Sequence, residues 1–220
     1  MSRSTPAQTA SSQTDARLVH IVDDDELVRG ALSGLLRSIG LDVRAYPSTE
    51  AFLAADKPSI PSCLVLDVRL RGQSGLALQQ TLSEEGRLHM PIIFMTGYGD
   101  IAMSVQAMKA GAMDFLAKPF RDQDMIDAVI AALERDARRL ESDRSLHTMR
   151  TAWDSLTPRE REVLQHVATG LLNKQIAANM GIAEITAKIH RGQAMRKMNA
   201  RSVAELMRKM EALGIVQTPR

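Results

Sequence analysis

Residues 19–25 read VHIVDDD, and the chain runs on as ELVRG to Gly30. An apolar run of strand length, Leu18–Val22, ends directly on Asp23, Asp24 and Asp25 with no turn residue between. Carboxylates this close repel and raise one another's pKa unless something positive joins them. An open parallel sheet binds its ligands just outside the carboxyl ends of its strands. The stretch therefore reads as a first strand delivering acids to such a site.

The pattern around it agrees. Further apolar runs of strand length occupy Leu41–Ala45, Cys63–Leu66, Pro91–Met95 and Met113–Ala117. Between and after them, Leu27, Val28, Ala31, Leu32, Leu35, Leu36 and Ile39 follow helical spacing, as do Ile101, Val105 and Met108, and Ile126, Val129, Ile130 and Leu133. Gly40, Gly86 and Gly111 stand where helices should stop. Strands alternating with helices predict an α/β domain, a doubly wound five-stranded parallel sheet over residues 17–134. In the flavodoxin-like order 2-1-3-4-5 the first and third strands are neighbours. Asp67, at the end of VLD, then joins Asp23 and Asp24. The expected positive partner is Mg2+, with Mn2+ as the alternative, because hard ions take carboxylate oxygens. Thr96 ends the fourth strand and Lys118 the fifth. Acids, a hydroxyl and an ammonium suit phosphoryl transfer to a carboxylate, with the cations neutralising the phosphoryl oxygens.

Composition sets the outer limits. A chain of 220 residues, 45% hydrophobic and 3% aromatic, must build its cores from aliphatic residues and its 13 Met. No apolar run approaches the roughly 20 residues of a membrane helix, and residues 1–16 lack an apolar leader segment and read as a disordered tail. The single Cys63 excludes an internal disulfide and a multi-cysteine zinc site, and its neighbours predict a buried thiol. A cytoplasmic protein without membrane association is expected. Charge is uneven: residues 1–120 are net −2, 121–150 net −1 and 151–220 net +5. Eight of the eleven residues Glu134–Arg144 are charged with both signs, so 135–154 reads as a solvated helical linker extending the fifth helix.

From 155 onward the signals are short helices only. Thr157-Pro158-Arg159-Glu160 is a capping box with Pro at the first helical position, Asn173 can cap a second helix to Met180, and Gly181-Ile182 turns into a third over about Glu184–Met198. Ser202 to Glu205 is a second capping box. Helix, Gly-containing turn, helix is the helix-turn-helix signature. A small all-α helix-turn-helix domain at 155–220, basic beside an acidic front, implies a nucleic-acid partner.

The motifs VDDD, LVLD, MTG and MKAGAMDFLAKPF resemble a response-regulator receiver domain. LTPREREVLQHVATGLLNKQIAANMGI followed by AEITAKIHRGQAMRKMNARSVAEL resembles the LuxR-type helix-turn-helix. Together the chain resembles the NarL/FixJ family, FixJ-like branch. The resemblance implies Asp67 as phosphoacceptor, Asp23 and Asp24 as the acidic pair with Asp24 the direct metal ligand, and the Arg69 backbone carbonyl as a further ligand. It implies Thr96 as switch hydroxyl, Lys118 as phosphate-binding lysine before a cis bond to Pro119, and Phe115 as switch aromatic. A sensor histidine kinase would donate the phosphoryl group, and homodimerisation would follow. Promoter DNA and RNA polymerase would be the partners. A turn that in the family is usually Met-Pro-Gly or Met-Pro-Asp is here Leu70-Arg71-Gly72.

The third helix of the basic domain should enter the major groove. Its period places Ala187, Ala194 and Met198 in the core and Ile185, Lys188, Ile189, Gly192 and Arg196 on another face. Lys188 is the expected base-edge reader and Ile189 the candidate for a thymine methyl, with Gly192 permitting close backbone approach. Asn173, Lys174, Thr186, His190 and Arg191 are expected at phosphates. Ala183 lacks a capping side chain, and Met180, Met195 and Met198 are expected to fill space left by Ala187 and Ala194. A constitutive DNA binder with a degenerate receiver is the alternative, but the full set of five site residues opposes it. A haloacid-dehalogenase-like phosphatase would need a second Asp where Arg69 stands.

Overall fold

The computed structural model describes residues 16–71, 74–84, 90–97 and 101–216. The tail expectation for 1–16, apart from residue 16, and the helix stop at Gly86 lie outside them. Two compact units divide at Leu140 and Glu141.

The first unit is a five-stranded parallel sheet with strands β1 (Leu18–Val22), β2 (Asp42–Tyr46), β3 (Ser62–Asp67), β4 (Ile92–Thr96) and β5 (Asp114–Ala117). The order is β2-β1-β3-β4-β5. Each expected strand forms within about two residues of its apolar run. β1, β3 and β4 are buried along their whole length, which is why they read as unbroken apolar runs, while β2 and β5 form the edges and are partly exposed. Side chains alternate between two cores. Val19, Ile21, Cys63, Val65, Ile93 and Met95 pack on α1 (Glu26–Ser38) and on α5 (Asp122–Asp154). Val22, Leu64, Leu66, Ile92 and Phe94 pack on α2 (Thr49–Ala54), α3 (Gly75–Glu84) and α4 (Ile101–Lys109). Helices on both faces make the sheet doubly wound.

The helix α5 is continuous through residue 154 and exposed throughout 141–148, as a solvated linker should be, but three positions of 135–154 turn inward. Asp136 is 1% exposed, and its carboxylate accepts from the Ser62 amide at 2.9 Å and from Arg139 Nε at 2.8 Å. Leu140 is buried as well, and Trp153 belongs to the core of the second unit. Counting charges hides a carboxylate that satisfies the first amide of β3.

The second unit holds α6 (Pro158–Ala168), α7 (Asn173–Met180), α8 (Glu184–Lys197) and α9 (Val203–Ala212). Ala187, Ala194 and Met198 are buried as their period requires, with Met180 buried and Met195 packed against the same cluster. Gly181 closes α7 at φ 64°, a left-handed conformation that suits glycine and turns the chain into α8. On α9, Leu206 and Met210 are fully buried, and Val203 and Leu213 pack beside them.

The capping box of α6 forms. The Thr157 amide donates to Glu160 Oε2 at 2.7 Å, and Glu160 N donates to Thr157 Oγ1 at 3.3 Å. Lys197 Nζ reaches the same Glu160 oxygen at 2.7 Å, tying α8 to the start of α6. Those hydrogen bonds outweigh burial and hold the Glu160 carboxyl below its ordinary pKa. Glu160→Ala strands both donors. The expected result is a loss of about 2 kcal/mol from this unit, read as a lower denaturant midpoint in the fluorescence of Trp153, the one Trp of the chain. An unchanged midpoint would remove this bond set from the account.

Candidate functional site

The site lies where β1, β3, β4 and β5 end. Asp23 follows β1 and is 1% exposed; Asp67 ends β3 and is 8% exposed. Adjacent pairing of β1 and β3 sets Val22 beside Leu66, which brings the two acids together. The Lys118 ammonium joins them, at 2.8 Å from Asp23 Oδ2 and 2.7 Å from Asp67 Oδ2. Burial lifts the Asp23 carboxyl above its ordinary pKa despite this ammonium. Burial opposes the charge on Lys118 too, but the hydrogen bonds it donates to both carboxylates outweigh it and raise its pKa. Lys118 is thus a cation held at the acids, and it answers part of the repulsion that the sequence poses.

The backbone fixes the carboxylates further. The Asp25 amide donates to Asp23 Oδ1 at 2.9 Å, and the Arg69 amide donates to Asp67 Oδ1 at 2.9 Å. Asp25 itself caps α1, accepting from the amides of Leu27 and Val28 at 2.8 and 3.4 Å. That is the helix-start role its position suggests. Thr96 is fully buried at the end of β4, paired in register with Ala117. The Lys118 amide donates to the Thr96 carbonyl at 2.6 Å, and the Lys118–Pro119 bond is cis. Phe115 is half-buried on β5, its ring centroid 6.5 Å from that of Phe94. Phe115 thus packs on the core formed around Phe94, and Thr96 stands at the end of the neighbouring strand.

Asp24 departs from the expected arrangement. It is held by Arg71, Nε to Oδ2 at 2.9 Å, while Asp23 and Asp67 face Lys118. Among the described residues no three Asp, Glu, His or Cys side chains gather as a metal cage. The sequence shows Arg71 only as a missing proline; its pairing with Asp24 depends on how the loop after β3 folds back, which no spacing reveals. Gly75 was also missed. It opens α3 against the β3 end, donating its amide to Val68 O at 3.0 Å, and a Cβ there would lie 2.3 Å from the Asp67 carbonyl oxygen.

On the second unit, α8 exposes Ile185 (63%), Ile189 (52%) and Lys188. Exposed isoleucines on a helix that buries Ala187 and Ala194 are not explained by its own core. Lys174 is exposed, and Thr186, His190 and Gly192 are half-buried. The expected cap at Asn173 does not form. Leu172 takes the cap position, with its amide on Gln175 Oε1 at 2.8 Å, because the Asn173 side chain accepts from Arg191 Nη1 at 2.9 Å. A Cβ on Gly192 would meet only Arg196, at 3.9 Å, so packing within the unit does not require glycine there. The absent cap at Ala183 is as expected.

Residues 19–130 match the family described as "Response regulator receiver domain", and 154–217 match "Bacterial regulatory proteins, luxR family". Nodulation protein W of Bradyrhizobium diazoefficiens is 53% identical over 90% of this chain and 87% of its own length. The chain belongs to the NarL/FixJ family of response regulators. The regulator is also 46% identical to the transcriptional regulatory protein FixJ of Azorhizobium caulinodans, over 90% of this chain and 93% of that protein. In solved structures it is similar to the response regulator StyR, with a TM-score of 0.82 at 44% identity over 89% of this chain and 98% of that one. It is a two-component response regulator with a receiver domain and a LuxR-type DNA-binding domain. Among its described residues no helix is long and apolar enough to cross a membrane.

Proposed function

We propose that a sensor histidine kinase phosphorylates Asp67 of this regulator, and that the phosphorylated form dimerises and binds promoter DNA to control transcription by RNA polymerase. The observation that carries the reading is the Lys118 ammonium seated on both Asp23 and Asp67. In the transfer, an Asp67 carboxylate oxygen forms the new O–P bond as the phosphorus–nitrogen bond to the donor histidine breaks. Lys118 then follows the charge onto a phosphoryl oxygen. Thr96 donates its hydroxyl to another, and Phe115 packs inward behind it. Phosphorylation in this way biases a two-state equilibrium of the β4/β5 surface.

The donor set fits a hard divalent cation: Asp23, Asp24, Asp67 and the Arg69 carbonyl would hold Mg2+, or Mn2+, with water completing the shell. The ion, when bound, supplies positive charge beside the phosphoryl oxygens. At the other end, Lys188 reads a base edge, Ile189 meets a thymine methyl, and Gly192 lets the helix backbone approach. Asn173, Lys174, Thr186, His190 and Arg191 hold phosphates. The hydrogen bond between Arg191 and Asn173 keeps these two proposed phosphate contacts side by side. The setting is the cytoplasm, as expected for a soluble transcription factor.

The test is promoter binding by fluorescence anisotropy, with and without a beryllofluoride mimic of the phosphoryl group, across a salt series. The expected result is tighter binding with the mimic and affinity that falls steeply with salt. Equal affinity with and without the mimic would favour a constitutive DNA binder.

A further inference from the structure

The loop after β3 carries two opposed groups. The carbonyl of Arg69 is a proposed ligand for the divalent cation, and the guanidinium of Arg71, two residues on, pairs with the proposed ligand Asp24 at 2.9 Å. Arg71 is 91% exposed, so its side chain is free to leave, whereas Asp24 is only 24% exposed at its side chain. Asp23 and Asp67 are already bridged by Lys118. Asp24 is therefore the carboxylate an arriving ion must recruit from a partner outside the phosphoacceptor pair. The ion must compete with Arg71 for that carboxylate, whose Oδ2 the guanidinium holds.

We infer that Arg71 is an electrostatic latch on the metal site, a built-in counter-ion that competes with the divalent cation for Asp24. The inference rests on the reading of Asp24 as a metal ligand. Arginine suits the part because it is charged at every relevant pH and its donors match a carboxylate. The latch keeps the unloaded acids from repelling one another and lowers metal occupancy at a given concentration of free ion. It makes the readiness of the site to accept a phosphoryl group depend on the level of divalent cation. Because the Arg71 side of the pair is open to solvent, its strength is modest and falls with salt.

The experiment is Mn2+ binding to the full chain, followed by the electron paramagnetic resonance of the free ion, with Mg2+ measured by competition. Four proteins are compared: wild type, Arg71→Ala, Asp24→Asn and the double variant. Arg71→Ala is expected to bind both ions more tightly at low salt by up to about fivefold, the upper end for a solvent-accessible ion pair, and the gain should shrink at high salt. Asp24→Asn should weaken binding. In the Asp24→Asn background, removing Arg71 should give no gain, since additivity fails between direct partners. An Arg71→Ala protein of wild-type affinity, with Asp24→Asn still weakened, would overturn the latch and leave the site reading intact. A gain that persists in the double variant would mean a general field effect and also overturn it. Unweakened binding by Asp24→Asn would remove Asp24 from the metal site, and the latch with it.

Discussion

Asp67→Asn is expected to be fully refractory to phosphorylation while remaining folded. The amide has the volume of the carboxylate, and its oxygen can still accept from the Arg69 amide that now meets Asp67 at 2.9 Å. Lys118 keeps its bond to Asp23. The variant nonetheless lacks the nucleophilic oxygen, so neither the kinase nor a small acyl phosphate can form the acid anhydride. Given Mg2+ and donor, the wild type should tighten on promoter DNA by an order of tenfold or more, the usual scale of coupling between two sites. The variant should stay at the unphosphorylated affinity. Anisotropy titrations of the two proteins, with and without donor, measure this. Donor-dependent tightening in Asp67→Asn would place the switch elsewhere.

Gly75→Ala should be strongly damaging, the tightest added methyl among the described glycines. A Cβ at 75 would lie 2.3 Å from the Asp67 carbonyl oxygen and 3.0 Å from Leu66 Cγ. The first contact is with backbone, in a strand paired on both sides. It cannot be relieved by turning a side chain. Overpacking of this kind costs about 1–3 kcal/mol and sometimes more, and about 3 kcal/mol is expected here. The strain falls on Asp67, the proposed phosphoacceptor, so phosphorylation should slow as well. Gly30→Ala is the control. Nothing lies within 4 Å of its added methyl, and Gly30 sits inside α1, where alanine is favoured by up to about 1 kcal/mol. Denaturant unfolding followed by circular dichroism should separate the pair in sign. A Gly75→Ala protein as stable as wild type would show that α3 can shift away at little cost.

The sheet was legible because its three central strands are buried on both faces and leave unbroken apolar runs. The edges carry less signal, and the second strand begins at Asp42 rather than Leu41. Asp23, Asp67 and Lys118 were legible as strand ends that one topology must bring together. Arg71 and Gly75 were not, because their partners, Asp24 and the Asp67 carbonyl, are set by the path of a loop rather than by a period. Asp136 was hidden for a related reason. In a run of mixed charges, nothing local marks the one carboxylate that turns inward to an amide 74 positions earlier in the chain. Asn173 shows the limit of local capping rules. Its residue type suits the cap, but a cation 18 positions away claims its side chain.

The central claim is that Asp67 receives the phosphoryl group in a site organised by Lys118 and a divalent cation. Intact mass of the full chain after incubation with a small acyl phosphate, followed by hydride trapping of the acyl phosphate and peptide mapping, tests it most directly. The account predicts one added phosphoryl group per chain, mapped to Asp67, formed with Mg2+ and absent when the ion is chelated. A phosphoryl group on another residue, or none with Mg2+ present while beryllofluoride also fails to bind, would contradict it.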